Sequence, residues 1–63
     1  MIQVRVELGS LIRACEDAAQ THIHYARHAY TEFQRSFHER RAAEALQRAH
    51  RYRQELQQLS HDS

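Results

Sequence analysis

Apolar side chains recur at helical spacing, without interruption, from Leu11 to Phe37. Advancing ~100° per residue, the turn of an α-helix, places them within an arc of about 140°, with polar residues opposite. No proline occurs in the sequence, so no proline ring would interrupt the helix. The pattern therefore predicts one amphipathic helix over residues 11–37. Its apolar stripe comprises Leu11, Ile12, Cys15, Ala18, Ala19, Ile23, Ala26, Ala29, Tyr30, Phe33 and Phe37.

A second apolar stripe follows further along the chain. Its members are Ala42, Ala45, Leu46, Ala49, Tyr52, Leu56 and Leu59. If the first helix ran straight on, the two stripes would lie about 150° apart around one axis, so a single helix could not bury both against one partner. The spacing of Ser36 and Glu39 matches a capping box. We therefore predict a turn within residues 36–41 and a second helix over residues 39–60, with one unbroken helix as the alternative.

Residues 2–8 have a different period, because apolar and polar residues alternate strictly. This alternation is typical of a half-buried β-strand, and β-branched side chains occupy most of the apolar side. We predict a short strand over residues 2–8, ended by Gly9, with Ser10 as the N-cap of the first helix. The apolar side would carry Ile2, Val4, Val6 and Leu8, and the polar side Gln3, Arg5 and Glu7.

The chain has 63 residues, a length that buries only about 60% of the unfolded surface and leaves a lone monomer marginal. Its one cysteine, Cys15, excludes an intrachain disulfide and any zinc motif built on two cysteines. Assembly of several copies is the remaining source of stability. We therefore predict a mainly α fold in a single small domain of residues 1–63. A short N-terminal β-strand would precede a two-helix antiparallel hairpin, and the chains would assemble as a homo-oligomeric helical bundle.

The two apolar stripes are the expected core and oligomer interface. We therefore expect a binding or assembly protein whose partner is a second copy, in a homodimer or a higher oligomer. The predicted interface and core residues are Ile12, Cys15, Ala19, His22, Ile23, Ala26, Tyr30, Phe33, Phe37, Leu46, Ala49 and Leu56. No catalytic motif or glycine-rich phosphate loop is recognisable, so we expect neither an enzyme nor a cofactor. No apolar run suggests a signal peptide or a membrane span, so we expect a cytoplasmic protein without a membrane partner.

Charge is uneven along the chain although the total is only +1. Six arginines and two acidic residues fall within residues 35–53. Such an arginine-rich face could follow a phosphate backbone, and its binding would weaken with salt. Pairs at i, i+4 spacing, such as Arg40 with Glu44 and Arg51 with Glu55, could instead neutralise the charge within the helix. An acidic partner or another protein could use this face, and a protein could also pair with the edge of the strand.

The element order, a short amphipathic strand followed by two helices, resembles that of the ribbon-helix-helix repressors. The resemblance covers residues 2–10 and implies a dimer whose paired strands enter the major groove of DNA. The predicted first helix is longer than is usual in that family, and Glu7 would bring a negative charge towards the phosphates. A dimeric DNA-binding regulator is therefore the alternative function. Its candidate nucleic-acid contacts are Gln3, Arg5, Arg40, Arg41, Arg48 and Arg51.

Three potential metal ligands, His24, His28 and Glu32, are spaced four residues apart on the polar side of the predicted first helix. This spacing can bring two imidazoles and a carboxylate together, and such ligands suit zinc, nickel or copper. A histidine-mediated metal-binding helical protein is the second alternative function.

Overall fold

The computed structural model describes residues 2–62, with side chains for residues 3–61. Helix α1 spans Ile2–Arg27 and helix α2 spans Glu32–Asp62. The two helices pack side by side as a hairpin with principal extents of 49 × 14 × 10 Å. The predicted two-helix hairpin is therefore present, but the strand and the position of the turn were predicted wrongly.

The strand predicted for residues 2–8 is wrong, because this segment forms the first two turns of α1. Leu8 is buried and lies one helical turn before the buried Ile12, whereas Val4 and Val6 are exposed. A single strand in this chain would have no neighbouring strand to satisfy its backbone N–H and C=O groups, and a helix satisfies them within the segment. Strict alternation over seven residues was thus overridden by backbone hydrogen bonding.

The turn lies at residues 28–31, not at residues 36–41. The predicted helices over residues 11–37 and 39–60 therefore have wrong bounds, and residues 36–41 are continuous helix within α2. Without glycine or proline to mark it, the turn depends on the hydrogen bonds that end one helix and begin the next. At the end of α1, the backbone N–H of His28 is shared between the carbonyl oxygens of His24 and Tyr25, at 3.3 and 3.2 Å. Such tightening satisfies carbonyls that a helix end leaves without intrahelical partners.

A capping box at the start of α2 fixes the other side of the turn. The backbone N–H of Gln34 donates to Oγ1 of Thr31 at 3.1 Å, and Oε1 of Gln34 accepts from the backbone N–H of Tyr30 at 3.0 Å. Thr31 is therefore the N-cap and Gln34 the third helical residue, in the T-x-x-Q spacing of a capping box. The return bond from Gln34 reaches the N–H of Tyr30, one residue before the N-cap, instead of that of Thr31. The sequence contains two segments with capping-box spacing, and the structure uses the one that begins at Thr31 rather than at Ser36.

The helices meet along a narrow seam of small side chains. The buried apolar residues among those described are Leu8, Ile12, Ala19, Ala26, Ala42, Ala45 and Ala49. When half-buried Cys15 and His22 are included in α1, the seam positions advance along each helix by alternating steps of four and three residues, as in a coiled coil. Alanine at the contact allows two helix axes to approach closely, because interaxial distance depends on the size of the facing side chains. Leu8 and Ile12 close the seam at the end opposite the turn.

The capping box predicts which hydroxyl stabilises α2. Replacing Thr31→Ala removes the acceptor for the Gln34 N–H and should lower the free energy of unfolding by about 1 kcal/mol. Ser36→Ala is the matched control, because Ser36 is exposed inside α2 and its loss should change stability by less than about 0.5 kcal/mol. Urea unfolding followed by circular dichroism measures both. A larger loss for Ser36→Ala than for Thr31→Ala would contradict the assigned helix start.

The seam predicts a strict size limit at its centre. Ala19 is fully buried, at 0% exposure, so Ala19→Leu would force the helices apart and should cost about 1–3 kcal/mol of unfolding free energy. Ala14→Leu makes the same change at an exposed position of α1 and should be nearly neutral. Thermal unfolding of the two variants checks this, and equal melting temperatures would refute close packing at Ala19.

Candidate functional site

One side of the hairpin carries a row of apolar side chains that the seam does not cover. Val4, Leu11, Ala18 and Tyr25 recur every seven residues along α1, so they form a line beside the seam. Phe37 of α2 joins this row near the turn, because the rings of Tyr25 and Phe37 lie 5.3 and 5.2 Å from the ring of His38. We call these five residues the lateral face. Its four large members are between 39% and 53% exposed.

The opposite side of the seam carries an ion pair between the two helices. Glu16 lies about 140° or more around α1 from Leu11 and Ala18, and its carboxylate forms an ion pair with Arg53 of α2. Towards the turn, Arg35 is paired with Glu32 at 3.1 Å. The two sides of the hairpin therefore differ: one is bridged by an ion pair and exposes Leu46 beside it, and the other presents the lateral face without an ion pair between the helices.

A histidine pair connects the two helices close to the turn. Nδ1 of His22 and Nδ1 of His38 are 2.9 Å apart, and the ring centroids are 5.1 Å apart. Both side chains are half-buried. Two neutral imidazoles at this distance share one proton, with one nitrogen donating and the other accepting. The rings of Tyr25 and Phe37 lie next to His38, and the guanidinium of Arg41 lies 5.3 Å from the Phe37 ring centroid, a cation–π arrangement.

The predicted core and interface residues divide into three groups in the structure. Four are buried in the seam: Ile12, Ala19, Ala26 and Ala49. Four are half-buried at its margins: Cys15, His22, Ile23 and Leu56. Four are exposed: Tyr30, Phe33, Phe37 and Leu46. Tyr30 and Phe33 are 96% and 81% exposed because the chain turns at these residues instead of continuing as α1.

Sequence reasoning missed two residues that shape the seam and the site, namely Leu8 and His38. Ala42 and Ala45 were placed in the second apolar stripe, and both are buried. The signal for His38 was the alternating step of four and three through residues 38, 42, 45, 49 and 52, which continues the seam of α2 towards its first turns. Leu8 was assigned to the strand, and His38 to the turn.

The predicted metal ligands are not brought together as a set of three. The rings of His24 and His28 are 4.6 Å apart, but Glu32 follows the turn and pairs with Arg35. Within the part of the chain that the structure describes, no group of three or more His, Cys, Asp or Glu side chains is placed to hold a metal ion. The helical ladder that would have aligned the three ligands is interrupted at residues 28–31.

The predicted nucleic-acid contacts fall on two helices. Gln3 and Arg5 lie in the first turns of α1. The predicted strand that would have presented them to DNA is absent from residues 2–62. The four predicted contacts in α2 are all exposed, namely Arg40, Arg41, Arg48 and Arg51. Arg41 pairs with Glu44 at 3.5 Å, so part of the arginine-rich face is neutralised locally. The resemblance to ribbon-helix-helix repressors loses the element on which it rested.

The chain matches no protein-family model, and comparison with curated proteins and with solved structures found no similar one. Neither of the two described helices has a stretch long and apolar enough to cross a lipid bilayer. The surface chemistry of the hairpin is therefore what remains to indicate its role.

Proposed function

We propose that this protein is an assembly module in which two hairpins pack through their lateral faces to form a four-helix bundle. The observation that carries the proposal is the surface area of the single chain. Its accessible surface is 5288 Å², whereas a compact monomer of 7.5 kDa is expected to expose about 4,200 Å². The excess of about 1,100 Å² is comparable to the roughly 800 Å² that each partner buries in a standard protein interface.

The shape of the chain supports the same proposal. The radius of gyration is 14.5 Å, against about 10.6 Å for a compact domain of this length. The hairpin is thus a thin rod of one helical layer. Stable domains bury apolar faces between two layers of secondary structure, and a second hairpin would supply the missing layer.

The composition of the core explains why the single layer is insufficient. Five of the seven buried apolar residues among those described are alanines, and each contributes only a methyl group to burial. Fully burying a Val, Leu or Phe side chain contributes about 1.5–3 kcal/mol. On the lateral face, Val4, Leu11 and Phe37 would contribute this energy only when a partner covers them.

The arrangement of the lateral face suits a partner identical to itself. A two-fold dimer uses the same patch on both chains, and a line of apolar residues at seven-residue spacing is self-complementary along a helix of the partner. Along α2 the face is bordered by Arg41, Glu44, Arg48 and Glu55. Charges of both signs give the polar border that is typical of protein interfaces.

A charge on the lateral face should separate the chains. Leu11→Glu would bury a carboxylate without a partner in the dimer, so we expect the mass in solution to fall from about 15 kDa, twice the 7.5 kDa of the chain, towards the monomer. Val6→Glu is the matched control, because Val6 is a similarly apolar and exposed residue of α1 that lies about 140° or more around the helix from Leu11.

Sedimentation equilibrium over a range of concentrations gives the mass of each protein. The control should remain dimeric at concentrations where Leu11→Glu does not. A wild-type mass of 7.5 kDa at all concentrations, or equal dissociation of both variants, would overturn the proposal.

A further inference from the structure

The distance between the two facing imidazoles is informative about what could lie between them. Nδ1 of His22 and Nδ1 of His38 are 2.9 Å apart, so the two atoms border one small region between the helices. A single proton can occupy this region, as in the hydrogen bond already described. A metal ion bound to both nitrogens is the other occupant that imidazole chemistry supports.

An ion placed between the two nitrogens without moving them is restricted in its coordination geometry. With metal–nitrogen bonds of about 2.0–2.1 Å, two adjacent ligands at 90° lie about 2.8–3.0 Å apart, whereas two tetrahedral ligands lie about 3.3–3.4 Å apart. The observed 2.9 Å matches adjacent positions of a square-planar or octahedral ion. Square-planar and tetragonal nitrogen sites are characteristic of Cu²⁺ and Ni²⁺.

We propose that His22 and His38 together bind a divalent ion of the Cu²⁺ or Ni²⁺ class through their Nδ1 atoms, with water completing the coordination. In this state each ring carries its proton on Nε2, so only one of the two rings changes tautomer relative to the hydrogen-bonded pair. Tyr25 and Phe37 flank the site through their ring contacts with His38. The guanidinium of Arg41 rests on the Phe37 ring.

The position of the ligands gives metal binding a structural consequence. One ligand belongs to α1 and the other to α2, so the ion would tie together two helices that separate when the chain unfolds. A ligand that binds only the folded state raises its stability according to concentration and affinity. Both ligands come from the same chain, so the site does not depend on the proposed dimer.

The other close histidine pair is a built-in control. His24 and His28 lie on the same helix, with ring centroids 4.6 Å apart. An ion bound there would not join α1 to α2. Removing this pair tests whether metal-dependent stabilisation belongs to the pair that spans both helices or to any two nearby imidazoles.

The experiment measures the melting temperature of the full chain with and without 1 mM NiCl₂. Wild type and the double variant His24→Ala/His28→Ala should both gain about 5 °C or more. His22→Ala and His38→Ala should gain less than a quarter of the wild-type shift. His22→Gln should also gain less than a quarter of the wild-type shift. The glutamine amide can still form a hydrogen bond with His38, so this variant tests the site even if an alanine variant fails to fold.

Two further results would support or overturn the assignment. Calorimetric titration of the His24→Ala/His28→Ala variant with Ni²⁺ should give one ion per chain, and ZnCl₂ should raise the melting temperature less than NiCl₂ does. Equal nickel-dependent shifts in wild type and His22→Gln, or no shift in wild type, would refute the site. A larger shift with Zn²⁺ than with Ni²⁺ would refute the adjacent-ligand geometry.

Discussion

Close contact between α1 and α2 along the alanine seam is the constraint on which the rest of the structure depends. Ala19, Ala42 and Ala45 form the buried cluster at its centre, and their small size lets the two backbones approach. The same small size leaves little apolar surface to bury. Larger side chains such as Leu11 and Phe37 lie outside the seam, on the lateral face, where the single chain does not cover them. Close packing of the two helices and an uncovered lateral face therefore both follow from the use of alanine in the seam.

The sequence was sufficient to predict the hairpin but not its boundaries. Two stripes offset around the helix axis required the chain to turn, and it does. The position of the turn was ambiguous because Thr31 and Ser36 both begin a capping-box pattern. Either start would leave His38, Ala42 and Ala45 helical, so the seam does not choose between them. In the structure Oγ1 of Thr31 accepts from the backbone N–H of Gln34, and Ser36 lies inside α2. Two local patterns of the same form do not specify which of them the chain uses.

Residues 2–8 show the same limit at the other end of the chain. A short alternating run is compatible with a strand and with a helix, and length alone did not separate them. The four-residue step from Leu8 to Ile12 was the discriminating signal. At the site, His22 was included among the predicted core and interface residues, but its counterpart was not. His38 had been placed in the turn, so the pair that joins the helices could not be anticipated.

The chemical difference between the two sides of the hairpin also bears on how large an assembly can become. A surface that adheres on both flanks adds subunits in an open row, as in a filament. Here the flank bridged by Glu16 and Arg53 carries charges beside Leu46, whereas the lateral face is a continuous apolar row. Under the proposed pairing, the lateral face of each chain is covered by that of one neighbour, so growth through this face terminates at a closed pair.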